Sequence, residues 1–201
     1  MKKVIAGMVM AVSMAGLAHA GGDAATGQAK SATCAACHGA DGNSMMGNFP
    51  SLAGQGERYL VKQMQDVKSG ARAIPEMTGL LDNLSQQDLE DIAAYFASQK
   101  GGIGQAKPEL VEAGQALYRG GNLANGVAAC TACHSPNGSG NAPAGFPRLS
   151  GQHPEYTAKQ LRAFRSGERA NDGESRMMRD VAARLTDAEI EAVANYLRGL
   201  H

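Results

Sequence analysis

Apolar residues recur at helical spacing near the end of each half of the chain. They stand at positions i, i+3, i+4 and i+7, as Leu89, Ile92, Ala93 and Phe96 in the first half and as Ile190, Val193, Ala194 and Leu197 in the second. Such a stripe is typical of an amphipathic helix that packs one face on a core. Ser85–Asp88 and Thr186–Glu189 directly precede the stripes and resemble capping boxes. The pattern therefore predicts a helix that begins directly after Ser85 and another that begins directly after Thr186.

Two further helices are predicted in each half. The first spans about 26–36 and about 108–118, where Pro108 suits a first-turn position. The second spans about 57–69 and about 155–166 and is followed by a glycine in both halves. No segment alternates apolar and polar residues for long enough to predict a strand. We therefore predict an all-α fold.

The second half of the chain repeats the first. The segment FPSLAGQ at 49–55 returns as FPRLSGQ at 146–152. Further residues recur in the same order, as Tyr59 and Tyr156, Lys62 and Lys159, Gln63 and Gln160, Met77 and Met178, Leu84 and Leu185, and Tyr95 and Tyr196. The repeat is about 100 residues long, which exceeds the period of solenoid repeats. The sequence therefore predicts a domain present in two tandem copies.

Two short segments delimit these domains. Residues 1–20 begin with basic residues, continue with an apolar stretch and end in Ala-His-Ala, which is typical of a cleaved signal peptide. The apolar stretch is shorter than the roughly 20 residues that a membrane-spanning helix needs. Residues 101–107 are glycine-rich and predict a linker between an N-terminal domain over 21–100 and a C-terminal domain over 108–201. Export with a cleaved signal peptide predicts a periplasmic protein.

Charge is balanced overall and uneven along the chain. Residues 21–100 contain nine acidic and six basic side chains, whereas residues 101–201 contain ten acidic and eleven basic ones. A distribution of this kind orients a molecule at a charged protein partner, but it lacks the basic excess of a nucleic-acid binder. We therefore expect protein partners and no nucleic acid.

The four cysteines belong to two copies of one motif. Each copy reads C-x-x-C-H, and its residues are Cys34, Cys37 and His38 in the first half and Cys130, Cys133 and His134 in the second. Two thiols one helical turn apart can add to the two vinyl groups of a haem, and the adjacent histidine then binds the iron. The motifs predict two haem c groups, one per domain, with His38 and His134 as axial ligands.

Other uses of a C-x-x-C pair fit the chain less well. A thioredoxin-like dithiol normally lies near a β-α-β pattern, which this helical chain lacks. A zinc site would need the two cysteine pairs brought together across the domains, and it would leave both adjacent histidines unexplained. Covalent haem attachment accounts for all six residues.

The sixth ligand of each iron decides between electron transfer and catalysis. A thioether closes the iron site, whereas an open position admits oxygen or peroxide. Met77 and Met178 occupy matching places in the two halves and are the candidate ligands. Met177 is the alternative to Met178, since only the alignment of the two halves separates them. His153 matches a glycine of the first half, and we expect it to be exposed at the start of a helix.

The chain resembles the cytochrome c4 family, the periplasmic dihaem cytochromes of bacterial respiratory chains. The resemblance rests on the two C-x-x-C-H motifs, the two F-P-x-L-x-G-Q segments, the methionines ahead of the final helices and the duplicated layout. It implies two small cytochrome c domains related by a pseudo-twofold axis, with their haems close together. It also implies His/Met ligation at both irons.

The resemblance further assigns roles to residues around the haems. In this family a proline carbonyl accepts a hydrogen bond from the axial histidine, and Pro50 and Pro147 stand at the matching positions. A bond of this kind fixes the imidazole ring and tunes its basicity. Four roles are open for the paired tyrosines at 59 and 156 and at 95 and 196: packing on the haem, a hydrogen bond to a propionate, a hydrogen bond to the other domain, and core packing alone. The sequence does not choose among them.

These features predict an electron carrier and not an enzyme. The resemblance implies electron uptake from a quinol-oxidising complex or another donor and delivery to a terminal oxidase, and peripheral association with the inner membrane stays open. One alternative is a dihaem subunit that serves as electron outlet for a flavoprotein dehydrogenase. Another is a dihaem peroxidase, which would need different sixth ligands in its two halves, whereas here both halves offer a methionine.

Overall fold

The structure, a computed structural model, describes residues 21–201. The signal peptide predicted over 1–20 lies outside the described residues. In the N-terminal half the helices are α1 (Ala24–Lys30), α2 (Ala35–His38), α3 (Glu57–Lys68) and α4 (Gln86–Ser98). In the C-terminal half they are α5 (Pro108–Gly120), α6 (Thr131–His134), α7 (Pro154–Ser166), α8 (Met177–Ala182) and α9 (Asp187–Gly199). Within 21–201 the only β structure is two isolated bridges, so the all-α prediction is confirmed.

The last helix of each half forms as predicted. Ser85 and Thr186 accept hydrogen bonds from the backbone N–H three residues later, and the acidic side chain at that position accepts one in return. Both capping boxes are therefore complete, although the first uses aspartate. Every residue of the two apolar stripes is buried, at 2% exposure or less. Seven of these eight residues, all but Leu89, belong to two separate hydrophobic clusters, one in each half.

The first helix differs from the prediction in the N-terminal half. A single helix is predicted over about 26–36, but α1 ends at Lys30 and a 3₁₀ turn, Ser31–Thr33, separates it from α2. The Asp23 side chain accepts a hydrogen bond from the Thr26 N–H at 2.6 Å and so starts the helix earlier than predicted. The matching helix of the C-terminal half, α5, is continuous and extends two residues beyond its predicted end.

A glycine sits where the first and last helices of each half cross. A Cβ atom on Gly27 of α1 would lie 1.9 Å from the carbonyl oxygen of Asp91 in α4. A Cβ atom on Gly114 of α5 would lie 2.4 Å from the carbonyl oxygen of Ala192 in α9. Since neither site has room for a side chain, the helix pairs pack backbone to backbone there.

A buried carboxylate also fastens α1 to α4. The Asp91 side chain is 4% exposed and accepts hydrogen bonds from the Asp23 N–H, the Gln87 amide and the Lys30 ammonium, each at 2.9 Å. These donors, in that order, lower the pKa of Asp91 from 3.8 to about 2. The carboxylate is therefore charged throughout the physiological range and holds the start of the domain against its last helix.

Replacing Asp91 with Asn should lower the urea midpoint of the protein at neutral pH. Because the folded-state pKa lies below the ordinary value of 3.8, the ionised carboxylate stabilises the fold above about pH 4 and loses this effect as the pH falls toward about 2. The difference between the D91N variant and the parent protein should therefore shrink below about pH 4. Urea unfolding followed by far-ultraviolet circular dichroism at several pH values measures this difference.

The D82N variant is the control, because Asp82 is exposed and lies four residues before α4. Equal urea midpoints for D91N and D82N at neutral pH would contradict the stabilising role of the Asp91 carboxylate.

Within residues 21–201, no helix combines the length and the apolar character that crossing a membrane requires.

Candidate haem sites

Each C-x-x-C-H motif forms one helical turn. The backbone N–H groups of Cys37 and His38 donate to the Cys34 carbonyl at 3.2 and 2.9 Å. Cys133 and His134 repeat these bonds with the carbonyl of the first cysteine of their motif at 3.3 and 3.0 Å. Residues i and i+3 of a helix lie on one face, so the two thiols of each motif are neighbours. None of the four cysteines forms a disulfide, so each is available for haem attachment.

The environment of the first cysteine in each motif disfavours a redox dithiol. Burial raises the pKa of Cys34, and it raises that of Cys130 to about 11. Reactive cysteines need the opposite shift, because the thiolate is the nucleophile. Residues 21–201 also contain no group of three or more His, Cys, Asp and Glu side chains placed to hold a metal ion.

Both motif histidines are buried, and their rings are oriented by a proline carbonyl. His38 Nδ1 lies 2.9 Å from the Pro50 oxygen, and His134 Nδ1 lies 3.0 Å from the Pro147 oxygen. Burial lowers the pKa of both imidazoles, although these hydrogen bonds oppose the shift. A neutral ring that donates from Nδ1 keeps its lone pair on Nε2, and within the described residues Nε2 makes no hydrogen bond. This arrangement fits an axial ligand of haem iron.

Backbone hydrogen bonds to a glycine carbonyl hold each F-P segment next to the motif histidine. The Gly42 carbonyl accepts hydrogen bonds from Leu52 and Ala53, and the Gly138 carbonyl accepts the same pair from the matching residues of the C-terminal half. Both glycines have positive φ, at 79° and 70°, which side chains rarely tolerate. The phenylalanine rings of the segments lie 6.4 and 6.3 Å from the two imidazole centroids.

In each half a tyrosine hydroxyl donates a hydrogen bond to the backbone just after the motif histidine, but the two tyrosines come from different helices. Tyr95 of α4 donates to the Ala40 carbonyl at 2.8 Å, whereas in the C-terminal half Tyr118 of α5 donates to the Ser135 carbonyl at 2.6 Å. Tyr196, the sequence match of Tyr95, instead packs its ring on Tyr118 with centroids 5.8 Å apart. The pairing of Tyr95 with Tyr196 in the alignment therefore does not extend to a shared hydrogen bond.

The candidate methionines lie on short helical turns ahead of the last helix. Met77 ends a 3₁₀ turn, Pro75–Met77, and is half-buried. Met178 lies in α8 and is also half-buried, while the neighbouring Met177 is 48% exposed. The partial burial of Met178 favours it over Met177 as the candidate ligand.

An ion pair that was not predicted from the sequence links the two sides of the segment that contains Met178. The Asp172 carboxylate accepts hydrogen bonds from the Arg179 N–H at 2.9 Å and from its Nε at 2.6 Å. Asp172 is 6% exposed, and the hydrogen bonds from Arg179 lower its pKa although burial opposes this. In the N-terminal half Pro75 stands at the start of the corresponding turn. The two methionine segments are therefore fixed by different means.

The F-P-x-L-x-G-Q segments also join the two halves. The Gln55 side chain accepts from the Arg148 N–H at 2.8 Å and donates to the Arg148 carbonyl at 3.0 Å. The Gln152 side chain makes the same two bonds with Ser51, at 3.0 and 2.9 Å. Since Ser51 matches Arg148 and Gln55 matches Gln152, the contact is reciprocal, as expected for a pseudo-twofold axis.

His153 contradicts the expectation of an exposed residue. It is 8% exposed, and its Nε2 lies 2.9 Å from the Ser44 carbonyl of the N-terminal half. It does start α7, as predicted, but this end of the helix is buried against the other domain. The alignment with a glycine could not reveal this, because burial here comes from the contact between the domains.

Comparisons with known proteins agree with this description. A family model described as "Cytochrome c" matches residues 111–201, and one described as "Cytochrome C oxidase, cbb3-type, subunit III" matches residues 22–96. Each matched segment contains one complete C-x-x-C-H motif. The two cytochrome c domains bind two haem c groups, one at each cysteine pair.

Several relatives match over the full length. The chain is 58% identical to cytochrome c4 of Azotobacter vinelandii and 60% identical to cytochrome c4 of Pseudomonas aeruginosa, with complete coverage of both chains in each case. A crystal structure of reduced recombinant cytochrome c4 from Pseudomonas stutzeri has a TM-score of 0.88 and 59% identity, and the match covers 90% of this chain and 100% of that one. A thiosulfate dehydrogenase electron acceptor of Stutzerimonas stutzeri is 38% identical over 81% of this chain and 76% of its own.

Proposed function

The chain belongs to the cytochrome c4 family, and on that premise we propose that it carries single electrons in the periplasm from a quinol-oxidising complex to a terminal cytochrome oxidase. Bound haem supplies the iron that alternates between the ferric and ferrous states. Like its relatives, the protein is an electron carrier and not an enzyme. Removal of a signal peptide after residue 20 accounts for the periplasmic location.

The observation that carries the proposal is the equivalence of the two sites. In each half a buried neutral imidazole is oriented by a proline carbonyl, and a half-buried methionine lies ahead of the last helix. We propose that His38 and Met77 bind one iron and that His134 and Met178 bind the other. Two closed sites suit electron transfer, whereas a dihaem peroxidase needs one site that opens.

The contact between the domains supports transfer from one site to the other. Reciprocal hydrogen bonds join the segments that include Pro50 and Pro147, which are the segments that also contact the axial histidines. The two sites are therefore held by parts of the chain that touch. An electron accepted at one domain can then leave from the other, and the different charges of the halves suit different docking partners.

Reconstitution tests the route. Membrane vesicles depleted of soluble cytochromes should consume oxygen faster with a quinol donor when the purified mature protein is added. The M178H variant, which binds haem but should hold it at a lower potential, should restore little of this rate. If the vesicles rapidly oxidise an artificial electron donor but do not oxidise the reduced protein, the terminal oxidase is not the protein's electron acceptor.

A second route has support from the relatives. The match to a thiosulfate dehydrogenase electron acceptor favours a dehydrogenase as the donor. Mixing the oxidised protein with a thiosulfate dehydrogenase and thiosulfate distinguishes the routes. Reduction faster than that by the quinol-oxidising complex would favour this second donor.

A further inference from the structure

The methionine assigned to the C-terminal iron lies on a short helix whose first turn is held by one carboxylate. We propose that Asp172 is a positioning residue for Met178, because it fixes the start of α8 and so keeps the thioether where it can bind the iron. The inference rests on the proposed ligation of the C-terminal iron by His134 and Met178. It assigns to Asp172 a role that Pro75 fills by other means in the N-terminal half.

The Asp172 carboxylate binds the peptide group that joins Met178 to the next residue. Its Oδ2 accepts a hydrogen bond from the Arg179 N–H at 2.9 Å, and this N–H shares a peptide plane with the Met178 carbonyl. Arg179 is the third residue of α8, and an N–H at that position has no acceptor inside its own helix. A side-chain oxygen that accepts from it acts as a helix cap. Asp172 therefore caps α8 from outside the helix.

The residue that directly precedes α8 cannot supply this cap. Arg176 occupies that position, and its guanidinium has only donors, so it accepts no hydrogen bond from the helix N–H groups. Its backbone lies in the left-handed region, at φ 50° and ψ 23°, which is unfavourable for a residue with a side chain. Such a conformation persists where the surrounding contacts impose it. The contacts of Asp172 across the loop supply that restraint.

The Arg179 side chain binds the start of the same loop. Its Nε donates to Asp172 Oδ1 at 2.6 Å, and its Nη2 donates to the Gly173 carbonyl at 2.7 Å. The Asp172 side chain is 6% exposed and that of Arg179 is 16% exposed. An ion pair so well shielded from water is screened less than a surface pair. The loop and the first turn of α8 are therefore joined through both the backbone and the side chain of Arg179.

The other end of α8 is fixed by the hydrophobic core. Ala182 is fully buried, and Val181 packs against the hydrophobic cluster of the C-terminal domain. Met178 lies one helical turn before Ala182, in the turn that Asp172 caps. Loss of the cap should therefore release the methionine while the rest of the domain stays folded.

The N-terminal half holds its methionine on a shorter loop. Counted from the glycine that follows α3 or α7, six residues precede Met77 and ten precede Met178, and Asp172 belongs to the longer loop. The turn that ends at Met77 begins at Pro75, whose ring fixes its own φ angle. The Met77 N–H also donates to the Ile74 carbonyl at 2.9 Å. Closing a longer loop costs more conformational entropy, which the contacts of Asp172 offset in the C-terminal half.

Displacement of the methionine by a competing ligand tests the proposal. Ferric haem shows a weak far-red absorption band while methionine sulfur is bound, and imidazole removes this band when it takes the place of the methionine. The apparent affinity for imidazole rises with the fraction of molecules in which the methionine is already released. In the mature haem-containing D172A variant, about half of the band should disappear at roughly a tenfold lower imidazole concentration than in the parent protein. The other half should disappear at the concentration that the parent protein requires.

Three further variants make this result specific. D180A removes an exposed carboxylate two residues after Met178, where it forms a surface ion pair with Arg176, and it should leave the imidazole titration unchanged. R179Q keeps the backbone N–H that Asp172 caps but loses the ion pair, so its shift should be smaller than that of D172A. M77H retains only the band of Met178 and shows which half of the band belongs to the C-terminal haem.

The outcomes separate the proposal from the proposed function on which it rests. If D172A loses its band at the same imidazole concentrations as D180A while only its urea midpoint falls, Asp172 is purely structural and the proposal is wrong. If D172A does not fold, D172N, which keeps one acceptor oxygen, decides by the same titration. A far-red band that stays at full intensity in the M178H variant would instead refute the ligation by Met178, and this is measured before the Asp172 variants are compared.

Discussion

Replacing Met178 with His lowers the reduction potential of the C-terminal haem by on the order of 0.2 V and leaves that of the N-terminal haem nearly unchanged. Methionine sulfur favours ferrous iron more than imidazole does, and axial ligands set haem potentials over a range of about 0.8 V. The two halves hold their methionines on separate segments, so the effect should stay local. A redox titration followed in the visible spectrum should resolve two steps that lie further apart than in the parent protein.

The neighbouring methionine provides the control. Met177 is 48% exposed and stands one residue before Met178, so M177L should leave both steps where they are. A lowered step in M177L together with an unchanged titration of M178H would show that the ligand has been assigned to the wrong residue. The matching M77H variant should lower the other step.

Replacing Cys130 and Cys133 with Ala should remove one haem per chain and unfold the C-terminal domain. Cys130 packs against the hydrophobic cluster of that domain, and a domain of this size buries too little apolar surface to be stable without additional support. Mass spectrometry should show the loss of one porphyrin, and circular dichroism should show the loss of roughly half of the helical signal.

The same change in the other half is the control for this prediction. The C34A/C37A variant should lose the N-terminal haem, and helices α1–α4 should unfold. The C-terminal haem should keep the weak far-red absorption band that ferric iron shows when methionine sulfur is bound. If either double variant kept two porphyrins, or kept full helicity with one, then the covalent link would not support the domain as proposed.

The features that depend on local sequence could be predicted. The last helices followed from apolar stripes and capping residues, and the ends of α3 and α7 followed from the glycines just beyond them. The haem motifs followed from the chemistry of their residue types, and duplication related each residue of one site to its partner in the other. The break after α1 was missed, because a carboxylate cap and a 3₁₀ turn leave little trace in the periodicity.

The residues that form the contact between the domains could not be predicted. His153, Arg72 and Arg169 are ordinary polar residues when the sequence is considered alone, and in the folded protein all three are buried. The alignment matches Gln63 with Gln160, but it does not say that Arg72 and Arg169 each contact both glutamines. The ion pair of Asp172 and Arg179 was also missed, because Asp172 lies in the loop before α8, seven residues from its partner in that helix.

Two thioether-linked haems, each with one histidine and one methionine on its iron, are the central claim. The most direct test measures haem content per chain as the pyridine haemochrome of the purified mature protein, together with the weak far-red band that ferric iron shows when methionine sulfur is bound. The account predicts two haems per chain and a band with the intensity of two Met-ligated irons. One haem per chain, or two haems with no far-red band, would contradict it.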